Sequence, residues 1–222
     1  MTDAAHLHEL PLRERKAAKT RLAVVESLVD ALRDRPFDQI TVRSLCQEVG
    51  ISEPTFFKYF PRKEDPLVLF VALWSIGLAV RAADESLSGK DIAAMVFDET
   101  ARQMKRSPRV MHEIIAYQMR AEAPPTGAPP TRSELMMRFA DEPLAWDLRP
   151  LPVQDLIGLA VTRAKDRGEI PRGASVADAT WTLVAVFFGV PASTRAQRVV
   201  ARRYRRALDL VWAGLGSEEH LP

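Results

Sequence analysis

The segment from Thr41 to Phe60 constrains the fold more than any other part of the chain. Thr41 is a good N-cap, and apolar residues at helical spacing then run from Val42 to Val49 and stop at Gly50, a residue suited to the left-handed position that follows a helix. A second short helix is predicted after Ser52, whose side chain can accept a hydrogen bond from the backbone N–H of Thr55. Two short helices joined by so short a glycine-containing turn predict a helix-turn-helix.

The second of these helices has an aromatic side and a polar side. At about 100° per residue, three aromatic rings fall within one third of the circumference, and we expect them to anchor the helix: Phe56, Phe57 and Phe60. The first turn and the opposite arc carry Glu53, Pro54, Thr55, Lys58 and Tyr59. On spacing alone, an ordinary helical hairpin inside a bundle explains the segment equally well.

Helical periodicity continues through the rest of the chain, and no segment alternates as a strand between hairpin turns. Further helices are predicted at 13–34, 62–83, 88–106, 108–122, 132–145, 153–167, 175–190 (ended by Pro191) and 195–213, with a loop at 123–131. The chain is therefore predicted to be all-α with about nine helices. We expect a flexible tail at 1–12, a compact three-helix unit at 13–60 and a larger helical domain at 61–222.

Composition and the first residues of the chain indicate where in the cell the protein is expected. A single cysteine, Cys46, excludes an internal disulfide, and the first residues lack the apolar run of a secretion signal, so the cytoplasm is the expected location. The uncharged run at 67–80 has 14 residues, short of the roughly 20 that span a bilayer, and is read as a buried helix rather than a membrane segment. Cys46 is better explained as a small buried core residue than as a redox switch.

A helix-turn-helix can place its second helix in the major groove of double-stranded DNA. There Glu53 could accept from a cytosine amino group, Pro54 could pack on a thymine methyl, and Lys58 could reach a base or a phosphate. The hydroxyls of Thr55 and Tyr59 suit phosphate oxygens. The net charge of +2 gives no hint of nucleic acid, but basic residues cluster at 13–21, as either a solvated helix start or an approach to the phosphate backbone.

Several motifs resemble the DNA-binding domain of the TetR family of transcriptional regulators, in order and at the family's spacings over residues 13–70. They are Thr20-Arg21, Pro36-Phe37-Asp38-Gln39-Ile40-Thr41-Val42, Gly50-Ile51-Ser52, and the run from Thr55 to Asp65. The resemblance implies a homodimeric repressor with a helix-turn-helix domain followed by a larger ligand-binding and dimerisation domain. It also implies phosphate contacts by Thr41, Ser44, Thr55, Tyr59 and Lys63, and base contacts by Glu53, Pro54 and Lys58.

The chain departs from the family pattern at three positions. Phe57 stands where the family usually has tyrosine, so a hydroxyl that commonly meets DNA is absent. Pro36 replaces a usual glycine and Pro66 a common leucine, and we expect these two changes to alter only the local backbone. The first departure removes a DNA contact that members of the family commonly make at this position.

The larger domain offers an apolar lining for a small, largely apolar effector of unknown identity. The candidate pocket residues are Trp74, Met104, Tyr117 and Trp146, although most such side chains must serve as core. The last two helices are predicted to pair with those of a second copy. The arginines at 195–206 are read as a solvated face, and the tail histidines His6 and His8 are assigned no metal.

Two other functions remain open from sequence. One is a DNA-binding regulator without a small-molecule ligand, which would differ only in the carboxy-terminal domain. The other is a helical enzyme or carrier, against which the chain shows no Ser/His/Asp order, no glycine-rich phosphate loop and no paired metal ligands on a helix. We therefore expect no catalytic residues, no cofactor and no metal site.

Overall fold

Every regular element among the described residues is helical, as predicted. A computed structural model of the chain describes residues 10–120, 127, 129–194 and 197–216, without the side chains of 118–120 and 197. These residues form ten α-helices, against about nine predicted: α1 Leu12–Asp34, α2 Val42–Val49, α3 Glu53–Tyr59, α4 Asp65–Ala82, α5 Gly89–Arg106, α6 Pro108–Arg120, α7 Arg132–Arg138, α8 Val153–Asp166, α9 Val176–Ser193 and α10 Val200–Gly216. Three short 3-10 turns are interspersed at Phe37–Gln39, Pro143–Asp147 and Gln197–Val199. His6, His8, Arg195 and most of the predicted tail and loop lie outside the described residues.

The chain packs as two units, which we describe separately. One comprises Met1–Val80 with Ala116–Pro150, and the other comprises Arg81–Ile115 with Leu151–Pro222. Helices α4 and α6 each contribute residues to both units. The division at residue 60 into a DNA-binding domain and a larger domain stays a prediction.

In the first unit, the turn between α2 and α3 forms as its residues dictate. The Thr41 hydroxyl accepts from the Ser44 backbone N–H at 3.0 Å and starts α2, and Gly50 ends this helix with φ +74°. The Ser52 hydroxyl accepts from the Thr55 backbone N–H at 3.3 Å and starts α3. The predicted caps on both sides of the turn are therefore confirmed, and they fix the angle at which α3 leaves α2.

Helix α7 is shorter than predicted. It was expected to reach Ala145 but ends at Arg138, and a separate 3-10 turn follows at Pro143–Asp147. Pro143 disfavours helical backbone at Glu142, which keeps the 3-10 turn separate from α7. The prediction missed it because apolar residues on both sides of the break keep helical spacing.

Helix α9, in the second unit, is longer than predicted. Pro191 was expected to terminate it, yet the helix runs to Ser193 with the proline inside. Proline supplies no N–H to the carbonyl four residues earlier, which is that of Phe187. The Tyr204 hydroxyl of α10 donates to this carbonyl at 2.7 Å, so a buried side chain replaces the missing backbone donor.

The core of the second unit is built from α5, α8, α9 and α10. Its aromatic centre is Tyr204, which stacks on Phe97 at 4.8 Å between ring centroids and lies beside Phe187 at 6.4 Å. Gly89 begins α5 against the backbone of α8, where a Cβ would lie 2.3 Å from the Ala160 carbonyl oxygen. Small residues and aromatic stacking together allow these helices to approach closely.

Two helices are long and apolar enough to cross a membrane when judged by length and composition alone, namely α4 and α9. In the structure both contribute to helical cores. Leu69 and Ile76 of α4 are buried, as are Leu183 and Phe187 of α9.

Candidate nucleic-acid interface

Helix α3 is held by two buried rings. Phe56 and Phe60 are almost completely excluded from solvent, and their ring centroids lie 5.6 Å apart. Phe60 is also the residue that ends the helix, through its N–H to the Phe56 carbonyl. These two positions act as the predicted anchors of the helix.

Phe57 does not anchor α3, contrary to the prediction. Its side chain is 47% exposed, and its ring meets that of Phe56 in a T-shaped arrangement at 5.4 Å between centroids. Phe56 and Phe60 already fill the buried arc, and Phe57 lies about 100° round the helix from Phe56. The exposed face of α3 therefore carries an aromatic ring that the sequence interpretation had placed inside.

The remaining predicted residues of α3 are exposed fully or in part. Glu53, Pro54 and Lys58 are exposed, while Thr55 and Tyr59 are half-buried. The Thr55 hydroxyl shares a 2.9 Å hydrogen bond with that of Ser52 at the surface. One face of α3 thus combines a carboxylate, a cation and two apolar groups, Pro54 and Phe57.

The other predicted phosphate ligands have partners within the chain. The Ser44 hydroxyl donates to the Thr41 carbonyl at 2.8 Å. Lys63 donates from Nζ to the Phe37 carbonyl at 2.7 Å and lies 4.2 Å from the centre of that ring. Lys63 therefore uses one of its three N–H donors within the chain, and its charge and remaining donors stay suited to a phosphate.

One exposed cation among the predicted phosphate ligands was missed by the sequence interpretation. Arg43 lies at the start of α2, between the two predicted phosphate ligands Thr41 and Ser44, and its side chain is exposed. The signal that could have found it is its place in the first turn of α2, two residues after the cap residue Thr41.

Cys46 is buried in α2. Burial, and secondarily the negative charge of Glu53, raises the pKa of its thiol. A buried thiol with a raised pKa is a poor nucleophile, which agrees with a packing role.

The start of α4 is fixed by an ion pair. Arg62 donates from Nε and Nη2 to Asp65 Oδ1 at 3.0 and 2.8 Å, and its backbone N–H donates to Oδ2 at 2.8 Å. The Asp65 hydrogen bond is the main reason that the pKa of Arg62 is raised, and Tyr117 adds to the effect. Tyr117, a predicted pocket residue, therefore lies within interaction range of Arg62.

The four predicted pocket residues are divided between the two units. Trp74, Tyr117 and Trp146 are half-buried in the first unit, and Met104 is fully buried in the second. The Trp146 indole donates to the Phe139 carbonyl at 2.9 Å. A surface cleft of about 520 Å³ in the second unit is lined by none of the four, and the effector pocket stays a prediction.

The arginines of α10 behave as a solvated face. Arg205 pairs with Asp98 at 3.4 Å, and Arg203 donates to the Thr194 hydroxyl at 2.8 Å. Within the described part of the chain, no group of three or more His, Cys, Asp or Glu side chains could hold a metal ion.

Comparison with known proteins shows that this region is similar in sequence to bacterial regulators. The sequence model of the family described as "Bacterial regulatory proteins, tetR family" matches residues 26–68. The chain is 39% identical over 71 residues to the HTH-type transcriptional regulator EthR of Mycobacterium tuberculosis and of Mycobacterium bovis. This match covers 30% of the chain and 33% of each relative, so the chain spans about a third of the length of the curated relatives it matches.

Solved structures resemble the fold over most of the chain. FadR of Thermus thermophilus, a transcriptional repressor solved in complex with lauroyl-CoA, aligns with a TM-score of 0.61 at 19% identity, over 91% of this chain and 98% of that one. FadR of Bacillus subtilis, solved in complex with stearoyl-CoA, aligns with a TM-score of 0.57 at 15% identity, over 87% and 98%. At these identities the likeness concerns the fold.

Proposed function

From the premise that this chain is a member of the TetR family of transcriptional regulators, we propose that it represses transcription by binding a palindromic operator as a dimer and is released by an apolar effector. The single observation that carries the proposal is α3: a short helix fixed by Phe56 and Phe60 that keeps its opposite side in solvent. A helix so held can enter the major groove without unfolding any of its own packing.

The exposed side chains suggest a division of roles on DNA. Glu53, Pro54 and Lys58 suit base edges, because a carboxylate accepts from cytosine, an apolar ring packs on a thymine methyl and an ammonium donates to guanine. Thr41, Ser44, Thr55 and Tyr59 suit phosphate oxygens, as do the remaining donors of Lys63. We add Arg43 to the phosphate set because it lies exposed between two of its members.

A second copy of the chain is the partner proposed for α9 and α10. Much of the apolar arc foreseen for this contact is already buried within the protomer, including Tyr204, Leu208 and Phe187. Trp181, which belongs to the foreseen set, and Leu210, which does not, remain exposed at 59% each. Large exposed apolar side chains of this kind suit a subunit interface.

The dimer proposal has a direct test. Trp181→Glu should lower the sedimentation coefficient to that of a monomer and abolish cooperative operator binding, because a charge cannot be buried unpaired at an interface. Thr182→Glu, on the neighbouring exposed position, is the matched control. A dimer that persists in the Trp181 variant would contradict the assignment.

An effector with a long apolar chain is the proposed ligand. Support comes from the half-buried aromatic side chains of Trp74, Tyr117 and Trp146 and from the fold shared with two regulators solved with acyl-CoA. Release then follows from population shift, since an effector that favours a state unfit for DNA lowers operator occupancy. Acyl-CoA thioesters are the first class to test.

The experiment is a gel shift with fragments from the neighbourhood of the encoding gene at low salt, with and without lauroyl-CoA and stearoyl-CoA. We expect a retarded band that weakens steeply with added salt and disappears with an effective acyl-CoA. Binding that no acyl-CoA reverses would leave a DNA-binding regulator and reject this effector class. Absence of any duplex binding would reject the function.

A further inference from the structure

The first unit contains a buried ion pair that joins α7 to α1. Arg21 Nη1 lies 3.0 Å from Glu134 Oε2, and both side chains are at least nine-tenths buried. Arg21 Nε and Glu134 Oε1 have no hydrogen-bond partner among the described atoms. An ion pair that is buried yet incompletely bonded contributes little net stability, since apolar replacements of such pairs are often neutral or stabilising. We therefore look for its role in the positions at which it holds α1 and α7.

One carboxylate oxygen of Glu134 serves both helices. Oε2 accepts from Arg21 on α1 and also from the Thr131 N–H and hydroxyl, at 2.6 and 3.0 Å, which completes the capping box at the start of α7. A second contact lies alongside, where the Ser133 hydroxyl donates to Glu14 of α1 at 3.1 Å. A shift of α7 along α1 would break the ion pair and the hydrogen bond from Ser133 to Glu14 together, so these two contacts favour a single position of α7.

Arg21 extends this link to α3. Its guanidinium carbon lies 5.2 Å from the centre of the Phe60 ring, within range of a cation–π interaction. Phe60 is the buried residue that ends α3. The cation held by Glu134 thus also contacts one of the two rings that hold the DNA-facing helix.

The far end of α7 is held by a predicted pocket residue. The Trp146 indole donates to the carbonyl of Phe139, the residue that ends α7. The Phe139 ring in turn lies against Gly77 of α4, where a Cβ would come within 3.3 Å of it. Both ends of α7 are therefore tied to elements that bear on the proposed function.

We propose that Arg21 and Glu134 are positioning residues that hold α3 in its DNA-binding orientation and make that orientation depend on the position of α7. The inference rests on the proposed function, because its readout is DNA binding. Removal of the charges should loosen α3 even where global stability is regained. Arg21 itself does not touch DNA, since its side chain is buried.

The test compares Glu134→Gln, Arg21→Met and the double variant in the full chain. Glutamine can still complete a capping box, so Glu134→Gln removes the charge while it keeps the cap. Each single variant leaves one buried charge unpaired and should lower the melting temperature, and the double variant, with neither charge, should regain most of it. The matched control is Arg33→Met, on the same helix, whose pairing with Asp30 at 3.0 Å is more than half exposed on both sides.

Two readouts separate positioning from a merely structural role. In the double variant, affinity for a duplex enriched by the wild-type protein should stay at least about tenfold lower than in the wild type, with an unchanged salt slope because no phosphate contact is lost. Amide hydrogens of residues 56–60 should exchange faster than in the wild type at equal melting temperature. Recovery of affinity and exchange protection together with stability would overturn the inference. If the wild-type chain itself enriches no duplex, the proposed function fails first.

The link to α7 has its own test in a double-mutant cycle. Trp146→Phe removes the indole donor to the Phe139 carbonyl and should lower operator affinity. In the Glu134→Gln background the same change should have less effect, because α7 is already released. Strictly additive effects would show that the two ends of α7 act separately and would contradict the dependence on α7.

Discussion

The donation from Tyr204 to the Phe187 carbonyl makes a quantitative prediction. Tyr204→Phe keeps the stacked ring but removes the hydroxyl that substitutes for the missing N–H of Pro191. Loss of a donor to a buried carbonyl destabilises by about 1–3 kcal/mol. For a chain of this length that corresponds to a melting temperature lower by roughly 2–4 °C per kcal/mol.

The cause can be isolated by restoring the backbone donor. Pro191→Ala supplies an N–H four residues after Phe187, so Tyr204→Phe should cost less in this background, by about 1 kcal/mol or more. The assay is urea unfolding of the wild type, both single variants and the double variant, followed by circular dichroism. Equal costs of Tyr204→Phe in the two backgrounds would refute the explanation of why α9 continues past a proline.

Three further predictions concern packing, reactivity and base recognition. Gly89→Ala should destabilise the protein by about 1–3 kcal/mol through overlap with the backbone of α8, whereas Gly158→Ala, with its nearest neighbour at 3.8 Å, should stabilise it by up to about 1 kcal/mol. Thermal unfolding measures both effects, and equal effects would contradict the close approach of Gly89 to α8. Because burial raises the pKa of Cys46, its thiol should react slowly with a disulfide reagent at pH 8 in the folded protein and rapidly in urea, and a fast reaction of the folded protein would contradict burial. For the same reason, the contribution of Cys46 to stability should fall as the pH rises above the ordinary thiol pKa. Phe57→Ala should weaken binding to thymine-containing operators but not to the same duplex with deoxyuridine, because deoxyuridine lacks the methyl group that an exposed ring can contact. Fluorescence anisotropy measures both affinities, and an equal loss on the two duplexes would show that the ring contacts something else.

Caps and turns could be read from sequence because they depend on neighbours along the chain. Thr41, Gly50 and Ser52 took the predicted roles since each satisfies or terminates a helix within four residues. The start of α7 was likewise readable from Thr131 and Glu134, which form a capping box. Local chemistry of this kind does not need tertiary information.

Other features depend on partners that are distant in sequence. Pro191 would end an isolated helix, and only the Tyr204 hydroxyl from another helix explains why α9 continues. Phe57 shares an aromatic identity with Phe56 and Phe60, and only the filled space around those two shows that it lies outside. The pairing of Arg21 with Glu134 spans 113 positions and left no mark in either local pattern.

The most direct test of the DNA-binding face is selection from a random duplex library by the wild-type protein and by a variant with Glu53, Pro54 and Lys58 replaced by alanine. The wild type should enrich two inverted half-sites about one helical turn apart, and the variant should lose the preference while it keeps its fold and its weak, salt-sensitive binding. Enrichment of the same motif by both proteins would contradict the claim that α3 reads the bases.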